Sequence, residues 1–126
     1  MKPSPSKSER RQAAERVGRQ GERIAEWQLR LKGYRIVERR FKSPVGEIDL
    51  IVRRGNLLVF VEVKTRKSMA EKAQALEAVA ERRIIAAANA FLTHHEELMA
   101  CDMRFDVIFV APGQWPDHIR DAFRPD

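Results

Sequence analysis

Apolar residues change period several times along this chain, and the changes mark its elements. From Glu9 to Lys32 the spacing is helical, with Val17, Gly21, Ile24, Gln28 and Leu31 on one stripe flanked by Ala25 and Trp27. Gly33 suits the C-terminal stop of that helix. Tyr34 to Phe41, rich in β-branched and aromatic residues, reads as a strand, and Ser43-Pro44-Val45-Gly46 as a turn. Ile48 to Arg53 and Leu57 to Lys64 are two more strands around Gly55-Asn56, a dipeptide suited to a two-residue hairpin turn. Residues 67–74 are polar and aperiodic and are expected to form a mobile loop. A long helix follows, with Leu76, Ala80, Ile84, Ala87, Phe91 and Leu98 on one stripe. Met103 to Ala111 is apolar enough for a central strand, Pro112-Gly113 ends it, and Ile119 to Phe123 supplies a short edge strand or a turn.

The order helix-strand-strand-strand-helix-strand predicts an α/β fold, a mixed sheet with helices packed on its faces. The connection from Leu57–Lys64 through the long helix to Met103–Ala111 is expected to be a right-handed parallel crossover. A chain of 126 residues has room for one domain, placed at 9–126, behind a disordered tail at 1–8 that holds two prolines and three serines.

Charge sharpens the picture. The chain carries 24 Lys+Arg against 18 Asp+Glu, a net +6, and residues 1–44 alone hold 13 against 5, a net +8. Such a balance favours a polyanionic partner, nucleic acid above all, with Arg10-Arg11 and Arg39-Arg40-Phe41-Lys42 as phosphate contacts. A solvated basic surface that only aids solubility is the alternative. The single cysteine, Cys101, excludes an internal disulfide framework and a Cys-rich zinc site. Apolar runs such as Leu57 to Val61 and Ile84 to Ala88 are too short to span a bilayer, and the charged N-terminus does not resemble a signal peptide. A cytoplasmic protein without membrane contact is expected.

The hairpin carries the chemistry. With Gly55-Asn56 as a two-residue loop, Arg54 pairs with Leu57, Asp49 falls opposite Glu62, and Glu47 opposite Lys64. All four then share a face with Ile51, Phe60, Arg53 and Leu58, while Ile48, Leu50 and Val52 face Val63, Val61 and Val59 across the core. Opposed like charges in an antiparallel pair are destabilising, so Asp49 against Glu62 needs a compensating charge. A hard divalent cation, Mg²⁺ or Mn²⁺, would supply it. Lys64 could then orient or deprotonate a water, or neutralise charge developing on a phosphate. A salt-bridged solvent face is the competing interpretation.

Gly46-Glu47-Ile48-Asp49-Leu50-Ile51 followed by Phe60-Val61-Glu62-Val63-Lys64-Thr65-Arg66 resembles the D…ExK signature of the restriction-endonuclease-like superfamily. More narrowly, the chain resembles the YraN family of small bacterial proteins. Gly21-Glu22, Gly33-Tyr34, Arg104-Phe105-Asp106-Val107 and Ala122-Phe123 extend the match over nearly all of the chain after residue 17. The resemblance implies a restriction-endonuclease-like core related to archaeal Holliday junction resolvases. It implies metal ligation by Asp49 and Glu62 with the Val63 main-chain carbonyl, and assistance to the attacking water by Lys64. Glu22 matches the acidic residue that the resolvase-like branch supplies from its first helix. Helical geometry agrees, placing Glu22 at the border of the apolar stripe while Glu26 points more fully to solvent. Ile48 stands where the superfamily commonly has proline. Glu81-Arg82-Arg83 stands where the family commonly has a lysine-bearing basic cluster, so Arg82 and Arg83 would take over phosphate binding, together with Arg39, Arg40, Lys42 and Arg66.

Other features are read as structural. His94-His95 lacks the spacing of a metal motif, Cys101 lacks a catalytic histidine nearby in sequence, and Trp27 and Trp115 are assigned to packing. Asp106, between apolar residues, is read as a buried structural acid in preference to a site neighbour. Two functions remain: a metal-dependent endonuclease acting on DNA, on branched or recombination intermediates, or a nucleic-acid-binding or assembly module with little or no turnover. A docking protein without enzymatic function is a third, weaker reading, and homodimerisation stays open.

Overall fold

The computed structural model describes residues 3–77 and 79–125. Met1 and Lys2 of the expected tail, Ala78 of the expected long helix and the C-terminal Asp126 lie outside the described residues. Helix α1 spans Lys7–Leu31, so Lys7 and Ser8, expected in the tail, form its first turn. Ser6 caps it, its hydroxyl accepting from the Glu9 N–H at 3.1 Å. Strands β1 (Arg35–Ser43), β2 (Gly46–Arg54) and β3 (Leu57–Thr65) follow. A 3₁₀ turn at Met69–Glu71 leads into α2 (Lys72–Glu77), then come α3 (Glu81–Thr93), β4 (Asp102–Val110) and β5 (Asp117–Phe123).

The five strands form one open mixed sheet in the order β1-β2-β3-β4-β5. β3 and β4 are parallel and the other neighbours antiparallel. The hairpin register follows from the Gly55-Asn56 turn: Arg54 faces Leu57, and pairing runs up to Leu50 opposite Val61. Gly55 has φ +58, the left-handed conformation such a turn requires. Helices cover both faces, an arrangement consistent with the endonuclease-like core that the motif implies. On the α1 side, Ala25 and Leu29 pack on Leu50, Val52, Val59, Val61 and Ile108. On the α3 side, Phe91 sits against Phe60 and Phe41, and Phe60 stacks on Phe105.

Three expectations are corrected. The polar segment 67–74 is not a loop throughout: Met69–Glu71 is a 3₁₀ turn and α2 begins at Lys72, with Ala75 buried in the α3-side core. The single long helix is two, since Val79 and Ala80 are not helical; Ala80, expected on the apolar stripe, is exposed, and Leu98 belongs to a separate 3₁₀ turn at Glu96–Leu98. The α1 stripe is rotated: Gly21, Ala25 and Leu29 face the sheet, while Val17, Ile24 and Leu31 stand exposed. The cause is close approach. A Cβ on Gly21 would lie 2.5 Å from the Thr65 hydroxyl oxygen, so the helix rests on its smallest residues.

A second close approach fixes the other helix. A Cβ on Gly46 would lie 2.2 Å from the Arg83 carbonyl oxygen in the first turn of α3, and main chain cannot swing aside as a hydroxyl can. Gly46→Ala should therefore cost about 1–3 kcal/mol, the usual range for overpacking. Gly21→Ala should stay within about 1 kcal/mol of wild type, because better helix propensity offsets the displaced Thr65 hydroxyl. Urea denaturation of both variants checks this, and equal losses would contradict the packing described.

Candidate active site

The β2–β3 ladder stops where the acids begin. Above the Leu50–Val61 pair the strands part, and the Asp49 carboxylate enters the gap, with Oδ2 accepting from the Val63 N–H at 2.8 Å. In an extended strand the N–H and C=O of one residue point to the same side, so the Val63 carbonyl opens on the same gap. β3 keeps its partner on the other edge, with Glu62 beside Val107 and Lys64 beside Phe109. The expected direct pairing of Asp49 with Glu62 and of Glu47 with Lys64 is thus absent from the ladder; Glu47 instead faces Lys42 on β1. Side-chain alternation also breaks at Asp49. Ile48 joins Ile51 and Phe60 in the α3-side core, whereas Leu50 and Val52 pack under α1.

The electrostatics of the gap are unusual. Burial, then the neighbouring Glu62, push the Asp49 carboxyl up to about 8, against the lowering effect of the Val63 N–H. Burial also raises Glu62, partly offset by Lys64, whose Nζ lies 3.6 Å from Glu62 Oε1. The two carboxyls interact at close range, and burial together with their mutual repulsion disfavours ionising both.

Glu22 reaches the same place from α1. It follows Gly21, whose close approach brings the helix onto the end of β3, and its carboxyl lies within reach of Asp49. Arg40 holds it: Nε and Nη2 donate to Glu22 Oε2 at 2.9 and 2.7 Å. Arg40 lies between the Arg39–Leu50 and Phe41–Ile48 pairs, opposite Asp49, and its φ of +52 is rare for a residue with a side chain. This backbone kink lets two consecutive residues serve α1, since Arg39 Nε donates to Glu26 Oε1 at 2.6 Å. Glu26 was expected to point to solvent; it is instead mostly covered, and the bond from Arg39 holds its carboxyl below the usual range. Among the described residues no three His, Cys, Asp or Glu side chains converge as a ready-made metal cage.

The basic candidates divide. Lys42 lines a small recess with Glu22, Arg40, Glu47 and Asp49. Arg66 borders a groove between Lys64 and the Ala13–Gly18 stretch of α1. Arg82 and Arg83 are exposed on the first turn of α3, beside Gly46 but across the sheet from α1. Arg19 and Arg23 were overlooked in the sequence; they line the recess over Asp49 with Arg39 and Arg40. Each stands three residues before an acid, Arg19 before Glu22 and Arg23 before Glu26, and that i, i+3 spacing was the available signal.

Residues read as structural stay away from this gap. Asp106 is wholly buried, bound by both nitrogens of the Arg104 fork at 2.7 Å and by His118 Nε2 at 2.6 Å. Cys101 is a buried free thiol, and His95 stacks on Phe91. Trp27 and Trp115 stack on each other at the surface, not in the core.

Fold and gap together define an α/β domain with an acidic pair and a lysine at the splayed end of a hairpin. The chain belongs to the uncharacterised protein family UPF0102, whose profile matches residues 21–110 and so spans the whole gap. It is similar to a UPF0102 protein of Mesorhizobium japonicum, 49% identical over 98% of this chain and 97% of that one. A UPF0102 protein of Chelativorans is 46% identical over 90% and 91% of the two chains. One of Parvibaculum lavamentivorans is 48% identical over 90% and 85%. Among the described residues no helix is long and apolar enough to cross a membrane.

The raised Asp49 carboxyl has a consequence for stability. Between its ordinary value of 3.8 and about 8 the folded chain binds more protons than the unfolded one, so without divalent cations stability should fall as pH rises through that window. Asp49→Asn keeps an oxygen for the Val63 N–H and removes the titration. Its stability in EDTA should be flatter with pH and higher than wild type at the alkaline end. Urea midpoints across the window test this; a wild type that stabilised with rising pH would contradict the raised Asp49 carboxyl.

Proposed function

We propose that this protein is a metal-dependent nuclease hydrolysing phosphodiester bonds in DNA, with branched or recombination intermediates as substrates. The observation that carries this reading is the half-buried Asp49–Glu62 pair at the splayed end of the hairpin, with Lys64 beside Glu62. Two carboxylates and a main-chain carbonyl opening on one gap form a hard-oxygen donor set, suited to Mg²⁺ or Mn²⁺ that retains water ligands. Asp49, Glu62 and the Val63 carbonyl would hold the ion. Bound there, it would polarise the phosphate and lower the pKa of a ligated water.

The chain's own residues do the rest. Lys64 Nζ, held near Glu62, can hydrogen-bond the attacking water and offset negative charge growing on the phosphate. Arg40, Lys42, Arg19 and Arg23 rim the recesses over Asp49, where they can bind backbone phosphates, and Arg66 extends the rim past Lys64. Arg39 is engaged with Glu26 and serves mainly to anchor β1 to α1. Glu22 is an auxiliary acid under the control of Arg40. Glu22 could join Asp49 and Glu62 in holding the ion only with its hydrogen bonds to Arg40 broken, which would free the guanidinium for a phosphate. The same Arg40–Glu22 pair supports a second reading, a nucleic-acid-binding or assembly module in which Glu22 never joins the metal and turnover is slight.

Calorimetric titration with Mn²⁺ and a junction cleavage assay separate these readings. Asp49→Ala and Glu62→Ala should each abolish metal binding and cleavage. Lys64→Ala should bind Mn²⁺ at least as well as wild type but cleave about 10²–10³-fold more slowly. Metal binding without cleavage of duplex, branched or single-stranded substrates favours the binding module, and no metal binding by wild type sinks the nuclease reading. Arg40→Ala isolates the latch: Mn²⁺ affinity should rise because Glu22 is freed and a nearby positive charge is lost, while DNA affinity in EDTA falls. Unchanged values for both would leave Arg40 a structural tie only.

A further inference from the structure

Helix α1 leaves an apolar flank uncovered. Val17, Ile24 and Leu31 recur every seven residues with Trp27 between the last two, and with Trp115 from the β4–β5 loop they are 42% to 73% exposed. These five are most of the large hydrophobic side chains that stand exposed among the described residues. They do not serve the core, which α1 contacts through Gly21, Ala25 and Leu29. Trp27 and Trp115 stack with ring centroids 5.9 Å apart, so the stripe runs continuously from the helix onto the loop. The loop and the start of β5 are tied to α1, since Gln28 Nε2 donates to the Pro116 carbonyl at 2.8 Å and Lys32 Nζ lies 2.9 Å from His118 Nδ1.

A row of cations runs beside the stripe. Arg16, Arg23 and Arg30 precede Val17, Ile24 and Leu31 by one residue each, so they repeat at the same seven-residue spacing along one edge. All three are exposed. Arg30 touches Glu26 at 3.5 Å, while Arg16 and Arg23 have no acidic salt-bridge partner among the described residues. At 1.5 Å per residue the stripe is about 21 Å long, the reach of a helix of roughly fifteen residues.

We propose that this flank is a docking site for an acidic amphipathic helix of a partner protein, with aliphatic residues seated on the stripe and carboxylates against Arg16, Arg23 and Arg30. Evenly spaced apolar anchors beside one charged edge are what helix recognition uses. A second copy fits less well. Two antiparallel α1 stripes would set arginine row against arginine row. Single-stranded nucleic acid could use the arginines and a tryptophan face, but Val17, Ile24 and Leu31 offer a base neither a stacking face nor a hydrogen bond. A membrane would meet the arginine edge first, because that edge lies farther from the sheet than the stripe.

The chain has two tryptophans and both lie on this flank, so its intrinsic fluorescence reports the site. The probe is a synthetic 21-residue amphipathic helix with leucines on one face bordered by glutamates; its control has lysine for every glutamate. The acidic peptide should shift tryptophan emission to the blue, with affinity that falls as salt rises, and the lysine peptide should bind about tenfold more weakly or worse. Ile24→Asp and Leu31→Asp should abolish the shift without altering thermal unfolding, since both side chains are exposed. The triple variant Arg16→Glu, Arg23→Glu, Arg30→Glu should reverse the preference in favour of the lysine peptide. The proposal fails if neither peptide binds or if the triple variant does not reverse the preference. It also fails if dimers lost in Leu31→Asp appear in sedimentation, or if oligo(dT) or phosphatidylglycerol vesicles perturb the tryptophans where the acidic peptide does not. Each measurement is made without metal and stands whether or not the protein cleaves DNA.

Discussion

The hydrogen bond from the Val63 N–H to the Asp49 carboxylate organises the candidate site. A strand amide that would otherwise continue the β2–β3 ladder is taken by a side chain, so the strands separate without leaving that donor unsatisfied. Separation does two things at once. It opens a gap on which a main-chain carbonyl, two carboxyls and a lysine converge, and it breaks side-chain alternation on β2 so that Ile48 anchors under α3 while Leu50 anchors under α1. Arg40, on the other neighbour of Asp49, adopts a left-handed backbone that carries its guanidinium across to Glu22. Distortion on both sides of one aspartate is how a sheet otherwise filled with apolar residues hosts charge at its end.

Two glycines hold that end in place. Gly21 brings α1 onto Thr65, the residue after Lys64, and Gly46 brings the first turn of α3 onto the start of β2, three residues before Asp49. Both helices therefore meet the sheet at the gap itself, where packing contacts made without side chains leave little room for adjustment. Glu22 inherits its position from this arrangement, because the residue after a helix glycine pressed on a strand end can only lie at the edge of the contact.

Much of the fold was legible because it depends on local rules. The Gly55-Asn56 turn fixed the hairpin register, and alternation over Leu50 to Arg54 held for the pairs that the ladder contains. The parallel pairing of β3 with β4 followed from strand order and an intervening helix. What could not be read was where the ladder would stop, since a side chain replacing a main-chain acceptor leaves no trace in periodicity. The α1 orientation was misread for a related reason. Hydropathy favoured Val17, Ile24 and Leu31 as the buried row, but steric fit favoured Gly21 and Ala25, and the apolar row remained outside. The conspicuous acids of the hairpin could be named from sequence; the arginines that govern them, Arg40 for Glu22 and Arg39 for Glu26, became visible only through a kinked strand.

The chain contains a second aspartate in nearly the same structural situation, and the contrast separates a site from a support. Asp106, like Asp49, accepts a strand amide where the ladder is irregular and a residue with positive φ intervenes: its Oδ1 takes the Asp121 N–H, and Asp121 has φ +55. Asp106 is wholly buried and Asp49 half-buried. Asp106, however, also receives the Arg104 fork and His118, and these donors outweigh its burial and keep its carboxyl below the usual range. Asp49 has one amide and two acidic neighbours, and its carboxyl is pushed up to about 8. Charge balance inside a protein is costly to leave open, so a buried acid supplied with every donor it needs is complete as it stands. One that faces further acids across a gap rimmed with arginines has no such set of donors, and that shortfall is what supports reading it as a site. Partial or full burial and a kinked neighbouring strand are common to both residues and decide nothing between them; the count of donors against acids does.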